Sequence, residues 1–442
     1  MLIEENVGPL VCKFGGTSLA DADQIRQVES IIRSNPQRRC IVVSAPGKRA
    51  KNDRKITDLL YQCHHAVSQG EEISSAFAPI RERFETIGSA LDLSMSRVHG
   101  WLDEIETQLA QGRSTDWVAS RGEHLSARLI ADYLKARFVE SADCIQFTAE
   151  GRLDPISYVK TREALTGNEV CIIPGFYGSD VHGGIKTFSR GGSDITGAIV
   201  ARAVNASAYE NWTDVDGLRM ADPRVIENAR AIREVTYQEL RELAYMGATV
   251  MHDEAILPVR EASIPINIRN TNDQSLPGTW IRATRSNTEQ AIVGIAGRRG
   301  FTTIQVAKSL MNQEVGFGRR MLQVLEEHGI SYEHAPSSID TMSVIIQDDQ
   351  IAHCLKEVLA AMERVLQPDR IEVFHGLALI ATVGQGMSNR TGTAGRLMSA
   401  LAEANVNIRM IDQGASEINI IVGVMNEDFE TALRAIYNQF VT

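Results

Sequence analysis

An α/β domain on a mainly parallel sheet, followed by two ferredoxin-like βαββαβ units, is the architecture this sequence predicts. Three observations carry it. Two glycine-rich turns, Gly15-Gly16 and Gly191-Gly192, each precede a helical pattern. Cys40-Ile41-Val42-Val43 and Val170-Cys171-Ile172-Ile173 are continuous apolar runs, as strands covered on both faces require. Finally, a segment near residue 325 returns without gaps near residue 401.

Leu10-Val11-Cys12 reads as the first strand, and Ile25, Val28 and Ile32 share one face of the helix after it. Pro36 closes that helix, Cys40 to Val43 is the second strand, and Pro46-Gly47 turns the chain. This βαβ unit implies parallel pairing. Mixed helical segments fill the stretch from about 56 to 133, and the strand ending at Ile173 is stopped by Pro174-Gly175. Arg190-Gly191-Gly192-Ser193-Asp194 leads into a small-residue helix, and Tyr209 to Trp212 is a strand running into Thr213-Asp214. Beyond this domain, Leu325 to Tyr332 aligns on Leu401 to Ile408, a shift of 401 − 325 = 76. The same shift carries Met342, Val344, Ile345 and Ile346 onto Ile418, Ile420, Ile421 and Val422. Each copy reads as strand, helix, strand, strand, helix, with a further strand at Leu377 to Val383. The expected domains are 1–288, then 303–374, then 289–302 together with 375–442.

At 442 residues and 43% hydrophobic, the chain is too long for one ordinary core. A net charge of −11 repels a phosphate backbone, so neither nucleic acid nor an anionic membrane is an expected partner. No apolar stretch approaches the roughly 18 residues of a spanning helix, and Glu4 and Glu5 stand where a signal peptide would be basic. The chain is therefore expected to start at or near Met1 and to work in the cytoplasm. Six scattered cysteines form no C-x-x-C pair and are expected to be buried, reduced thiols.

Chemistry concentrates at the two glycine turns. In Lys13-Phe14-Gly15-Gly16-Thr17-Ser18 the glycines let backbone N–H groups approach an anion, and Lys13 adds a point charge. The order of Gly and Lys is the reverse of a Walker A loop. One such turn alone is more often structural. A second, charge-bearing one at Arg190–Asp194 can converge with it at one end of a parallel sheet, one turn serving a nucleotide and the other an acidic substrate.

These motifs, with Ser44-Ala45, Arg121-Gly122-Glu123, Trp212-Thr213-Asp214-Val215-Asp216-Gly217 and Asp222-Pro223-Arg224, resemble the aspartate kinases of the amino acid kinase superfamily over nearly the whole chain. The C-terminal repeat resembles that family's paired ACT domains, in which the second unit borrows a strand from before the first, here Ala291 to Ala296. The resemblance implies transfer of the γ-phosphoryl group of ATP, carried with Mg²⁺, to the β-carboxylate of L-aspartate, at the head of lysine, threonine and methionine synthesis. It also implies roles: Lys13 and Asp194 as the catalytic pair, with Lys13, Phe14, Gly15, Gly16, Ser18, Thr213, Asp214 and Arg224 at the nucleotide. Ser44, Thr57, Glu123, Arg190, Gly191, Gly192 and Ser193 would hold aspartate, Arg190 gripping its α-carboxylate and Glu123 its ammonium. Lysine, or else threonine, would act as effector at Met311, Gly316, Phe317, Glu333, Ser338, Ile339 and Asp340. Arg409 replaces Glu333 in the second copy, so only the first is expected to take a cationic amino acid. A homodimer or dimer of dimers is expected, and no homoserine dehydrogenase domain is expected after Thr442.

Three features depart from that family's usual pattern. A basic insertion, residues 46–56, is either a solvated loop or a flap over the phosphates; Arg219 stands where an aromatic is common, and Thr249 where a lysine is common. The rival readings are another acidic amino acid or carbamate kinase of the superfamily, and a non-catalytic amino-acid sensor. The reaction needs no general base, because an aspartate side chain of pKa about 3.9 is already ionised at neutral pH. Nor is a dedicated metal cage expected, since Mg²⁺ is held largely by phosphate oxygens and water.

Overall fold

The computed structural model describes residues 8–189, 191–248, 253–285, 290–388 and 390–441. It divides into two compact units: 1–218 with 231–237 and 250–285, and 219–230 with 238–249 and 286–442.

In the first unit, strands β1 (Leu10–Phe14), β2 (Arg38–Val43), β3 (Arg137–Phe138), β4 (Cys171–Pro174), β7 (Ala208–Thr213), β8 (Glu234–Thr236), β9 (Ile266–Asn270) and β10 (Thr279–Arg282) form one sheet; β5 (Tyr177–Ser179) and β6 (Ile185–Thr187) make a separate hairpin. The sheet order is β3-β4-β2-β1-β7-β9-β10-β8, parallel throughout except between β9 and β10. Of helices α1 (Ala22–Arg33), α2 (Ile56–Ser68), α3 (Ser74–Ala90), α4 (Met95–Ala110), α5 (Thr115–Leu134), α6 (Ser141–Cys144), α7 (Ile156–Ala164) and α8 (Gly192–Ala203), α1, α5 and α8 lie against the sheet, and the others pack mainly on helices or on the hairpin. The central strands are buried along nearly their whole length because both faces are covered, as their unbroken apolar runs foretold.

One local expectation is corrected. The glycine turn leads into a single turn of 3₁₀ helix, Gly16–Leu19, and not directly into the long helix. α1 starts at Ala22, with the Asp21 carboxylate accepting from the Gln24 N–H at 2.9 Å. One of its N-terminal orphan donors is thus met by its own cap.

In the second unit, helix α9 (Tyr237–Tyr245) groups from Gln238 onward with the C-terminal repeat, although its sequence lies inside the stretch expected as the first domain. The contacts give the reason: Glu239 accepts from the Gln385 N–H at 2.8 Å, Glu242 accepts from Asn419 Nδ2 at 2.6 Å, and the Met220 carbonyl accepts from the Ile295 N–H at 2.6 Å. Helix α10 (Asp253–Glu261) returns to the first unit.

The repeat itself forms one sheet from β11 (Gly294–Ala307), β12 (Thr341–Gln347), β13 (Arg370–Val383), β14 (Met410–Asp412) and β15 (Asn419–Met425), in the order β12-β11-β13-β15-β14. β11 and β13 are single long strands that serve both copies. Gly294 to Arg299 pairs with Ala378 to Val383, and Thr303 to Ala307 with Arg370 to Phe374, with the register shifting between them. Helices α11 (Phe317–Glu327), α12 (Asp348–Ile351), α13 (Leu355–Leu366), α14 (Thr393–Glu403) and α15 (Phe429–Val441) complete it. α11 and α14 are offset by 393 − 317 = 76 residues at their starts, the shift read from the sequence. Each ends before a residue in the left-handed region, Gly329 in one copy and Asn405 in the other, the two types that tolerate it best. The second strand expected in the first copy is reduced to isolated bridges at His334 and Ser337, whereas its counterpart is β14.

All six cysteines are free, and five are buried. Burial pushes the Cys63 thiol up to about 11, so it stays protonated and unreactive. No described helix is long and apolar enough to cross a membrane.

Candidate active site

β1 and β7 are parallel neighbours in a register that sets Lys13 opposite Asn211 and Phe14 opposite Trp212. Alternation therefore turns Lys13 and Asn211 to one face and Phe14 and Trp212 to the other. Phe14 is fully buried, stacked on Trp212 with ring centroids 6.1 Å apart, so it anchors the strand and can meet a nucleotide only through its backbone.

On the Lys13 face, the Lys13 ammonium pairs with Asp194 Oδ1 at 2.8 Å. Asp194 is in the first turn of α8, where a carboxylate also suits the positive end of the helix. The pair is nearly sequestered, with side-chain exposures of 10% and 17%, so it is a tight contact that still opens to solvent on one side. Gly191 has φ +59°, a left-handed conformation favouring glycine, and a Cβ on Gly192 would fall 2.5 Å from the Phe176 ring. The second glycine turn is thus required by the close approach of α8 to the segment after β4. Arg190, just before it, lies outside the described residues, as does Thr249.

The segment after β2 closes the site around Gly15 and Gly16. A Cβ on Gly16 would stand 2.9 Å from the Ala45 carbonyl, and one on Gly47 would overlap Gly16 itself. The Gly47 N–H donates to the Gly16 carbonyl at 2.7 Å, and the Ser44 N–H to the Phe14 carbonyl at 3.2 Å. Ala45 in turn packs on α5, where a Cβ on Gly122 would meet its side chain at 2.8 Å. Beside it sits Glu123, only 7% exposed, and its Oε2 has no hydrogen-bond partner among the described residues. Burial pushes the Glu123 carboxyl up to about 7, against the Ala45 N–H and Arg121, which pull it down. A buried carboxylate with an unused oxygen can receive a cationic group. Arg121 is held away from that role, stacked 4.6 Å from the Trp117 ring and hydrogen-bonded to Ser120.

Lys13, Gly15, Gly16, Ser44, Gly191, Gly192, Ser193 and Asp194 thus gather where β1, β2 and β4 end and α8 begins, the crevice at the carboxyl ends of parallel strands. Thr57, half-buried, is in the first turn of α2. The Ser18 hydroxyl is buried against the Thr271 hydroxyl at 2.7 Å, where it braces the turn. Thr213 donates to the exposed Asp214 at 3.1 Å past the end of β7. Arg224 falls in the second unit, where its exposed guanidinium pairs with Asp222 at 2.6 Å.

The basic insertion is tied down. Asp53 accepts from the buried Arg83 at 2.5 Å and from Arg49 at 3.1 Å, and Arg83 also donates to the Gly47 carbonyl at 2.8 Å. Burial pushes the Asp53 carboxyl up, but the bonds from Arg49 and the Arg83 charge outweigh it and hold the group below the usual carboxylate range. Lys48, Lys51, Arg54 and Lys55 stay exposed on this pinned segment.

Within the second unit, the residues read as effector contacts divide. Met311 and Phe317 are core members beneath α11. The Ile339 carbonyl accepts from the Asn312 N–H at 3.1 Å and the Asp340 carboxylate from the Leu310 N–H at 2.9 Å, which brings the two loops together near Gly316. Ser338 lines a hollow of about 640 Å³ on the sheet face that also carries Thr303, Ser343 and Phe374. Glu333 accepts a hydrogen bond from the Tyr245 hydroxyl of α9.

Sequence reading missed Asn211 and Tyr209 of β7. Asn211 Nδ2 donates to Asp194 Oδ1 at 3.1 Å, its Oδ1 accepts from Lys13 at 3.4 Å, and the Tyr209 hydroxyl donates to the Asp194 carbonyl at 3.2 Å. Their alternation along a strand was legible, but not which strand they would face.

The amino acid kinase family model matches residues 8–270, and an ACT domain model matches residues 380–440. The chain is 42% identical over 448 residues to aspartokinase 3 of Bacillus subtilis (strain 168), spanning 97% of this chain and 98% of that one. Among solved structures, the allosteric aspartate kinase of Clostridium acetobutylicum is similar with a TM-score of 0.91 at 46% identity, covering 98% of this chain and 100% of that one. Aspartokinase III of E. coli, 28% identical with the same coverage, is similar both in its T-state with lysine and aspartate, TM-score 0.74, and in its R-state with aspartate and ADP, TM-score 0.72.

Proposed function

The chain belongs to the amino acid kinase family and is an aspartate kinase with a C-terminal ACT region, and on that premise we propose how its own residues transfer the γ-phosphoryl group of ATP to the β-carboxylate of aspartate. The observation that carries the reading is the Lys13–Asp194 pair beside the Gly15-Gly16 turn. Lys13 and the Gly16 N–H hold the moving phosphoryl group and offset the repulsion between two anions, while Asp194 keeps the ammonium in place; the Gly15 N–H, expected to share this role, is instead donated to the Trp212 carbonyl at 3.1 Å. Thr213 and Asp214 serve the nucleotide. Ser44, Thr57 and the Gly191–Ser193 turn position aspartate, with Arg190 as the guanidinium fork for its α-carboxylate.

Among the described residues no three His, Cys, Asp or Glu side chains cluster so as to hold a metal ion. Mg²⁺ would be carried by the nucleotide's own phosphate oxygens and would neutralise charge on the leaving diphosphate. The catalytic domain is taken as 1–288, with ACT units at 303–374 and at 289–302 with 375–442. The enzyme works in the cytoplasm as a homodimer or dimer of dimers.

Glu123 receives the substrate ammonium, which fixes a pH dependence. With its carboxyl near 7 in the free enzyme, it is mostly protonated at pH 6 and mostly ionised at pH 8. Only the ionised form attracts the ammonium, so kcat/KM for aspartate should rise about tenfold from pH 6 to pH 8. Glu123→Gln should weaken aspartate and flatten that rise, with the ATP KM little changed. Steady-state kinetics in an ADP-coupled assay, run with a panel of acidic substrates, tests it; an unaltered slope in Glu123→Gln removes Glu123 from the substrate.

Lysine is proposed as the feedback effector, its carboxylate near Gly316 and its side-chain ammonium at Glu333. An ammonium there competes with Tyr245 for the same carboxylate and so frees the end of α9. Inhibition requires that lysine prefer the less active arrangement, because equal affinity shifts nothing. Turnover against rising lysine and threonine should fall with lysine in the wild type, and Glu333→Ala should need at least about tenfold more, a loss of roughly 1.4 kcal/mol. Lysine inhibition that survives Glu333→Ala unaltered excludes this site, and a wild type indifferent to both amino acids excludes the feedback.

A further inference from the structure

We propose that Asn211, assisted by Tyr209, is a positioning residue for phosphoryl transfer, aiming Lys13 through a neutral amide that cannot cancel its charge; this rests on the reading of Lys13 and Asp194 just given. Three observations on β7 carry it. First, both ends of the Asn211 amide are engaged, its oxygen by the Lys13 ammonium at 3.4 Å and its nitrogen by Asp194 at 3.1 Å. The reverse orientation would set donor against donor and acceptor against acceptor, so the network itself fixes the amide. Second, Tyr209, two residues earlier and therefore on the same face, donates to the Asp194 carbonyl at 3.2 Å. α8 makes room for that ring with Gly197, whose Cβ would lie 2.5 Å from the Tyr209 hydroxyl oxygen. β7 thus grips Asp194 by its side chain and by its backbone.

Third, the strand that does this is anchored on its other face. Glu210 accepts from Arg38 at 2.7 and 3.0 Å and from the Trp212 indole at 2.9 Å, all of it buried, so β7 has little freedom to twist. A lone ammonium–carboxylate pair leaves the lysine free to swing about one contact. A second, neutral acceptor gives it a direction. A carboxylate at position 211 would also orient Lys13, but it would leave two negative charges around one positive, facing an anionic phosphoryl group.

The chemistry therefore ranks the variants. In the full-length chain, Asn211→Leu, of similar volume, should lower kcat about tenfold, roughly 1.4 kcal/mol of barrier. The aspartate and ATP KM values should stay within about threefold and the melting temperature within a few degrees, the signature of a group that acts on the transition state. Asn211→Asp, nearly isosteric, should be slower still, by about a further tenfold, because it adds the opposing charge. Tyr209→Phe, which removes a single hydroxyl, should lower kcat by a smaller factor and keeps the test available where Asn211→Leu does not fold. A kcat for Asn211→Leu within threefold of wild type, or an Asn211→Asp enzyme faster than Asn211→Leu, overturns the proposal. Lys13→Ala is measured alongside: if it stays active, the reading of the site fails first, whereas an inactive Lys13→Ala beside a fully active Asn211→Leu removes Asn211 alone.

Discussion

Replacing Lys13 with alanine should lower kcat by at least about a thousandfold, some 4 kcal/mol of barrier, while leaving the fold intact. The size of the effect follows from the reaction. Two anions must meet, no general base is required, and so most of what the protein can contribute is alignment and positive charge. Lys13 is the side-chain cation placed at the glycine turn, 2.8 Å from Asp194. Its loss need not unfold the domain. Asp194 keeps the Asn211 amide, is 17% exposed, and can take up water where the ammonium stood. Single-turnover rates with saturating ATP and aspartate, beside circular dichroism and a melting curve, decide the matter. Retention of more than about a tenth of wild-type kcat, which is only 1.4 kcal/mol, would take Lys13 out of the chemistry.

Arg38→Met should produce the largest loss of stability. Arg38 and Glu210 form an ion pair whose side chains are 7% and 6% exposed, in the middle of the sheet. Arg38 also lies 5.2 Å from the Trp212 ring centroid and donates to the Ile31 carbonyl at 2.7 Å. Removing one partner strands a buried carboxylate, which costs about 3–5 kcal/mol. Arg269, 3.7 Å from Glu210, limits the damage without replacing the bidentate bonds. At about 2–4 °C per kcal/mol for a domain of this size, the melting temperature should fall by roughly 6–20 °C. The double variant Arg38→Met with Glu210→Leu should recover much of that, because apolar groups of similar volume can substitute for a buried pair. Differential scanning fluorimetry on both reads the outcome. A single variant that loses less than about 1 kcal/mol, or a double variant less stable than the single, would show that the pair is not the anchor of β7.

The sequence by itself determined the local rules: unbroken apolar runs where strands are covered on both faces, glycines where an added Cβ would fall within about 3 Å of a neighbouring atom, and a duplication whose first helices are offset by 76 residues. It also pointed to Lys13, Gly16, Asp194 and Glu123 as candidates, through the motifs in which they stand. Only the tertiary structure decided what depends on strand order and register. β7 comes to lie beside β1, and that adjacency alone makes Asn211 a neighbour of Lys13 and Glu210 a neighbour of Cys12. The long strands β11 and β13 merged two expected units into one sheet, and α9, inside the catalytic stretch by sequence, found its hydrogen-bond partners in the regulatory repeat. Glu123 reads on paper as one more charge on a helix; burial in the folded domain raises its carboxyl to about 7, against the pull of the Ala45 N–H. The division has one physical cause. Periodicity and turn chemistry act between residues close in the chain and are written in it directly, whereas register, burial and ion pairing act between residues some 200 positions apart and exist only once the strands have met.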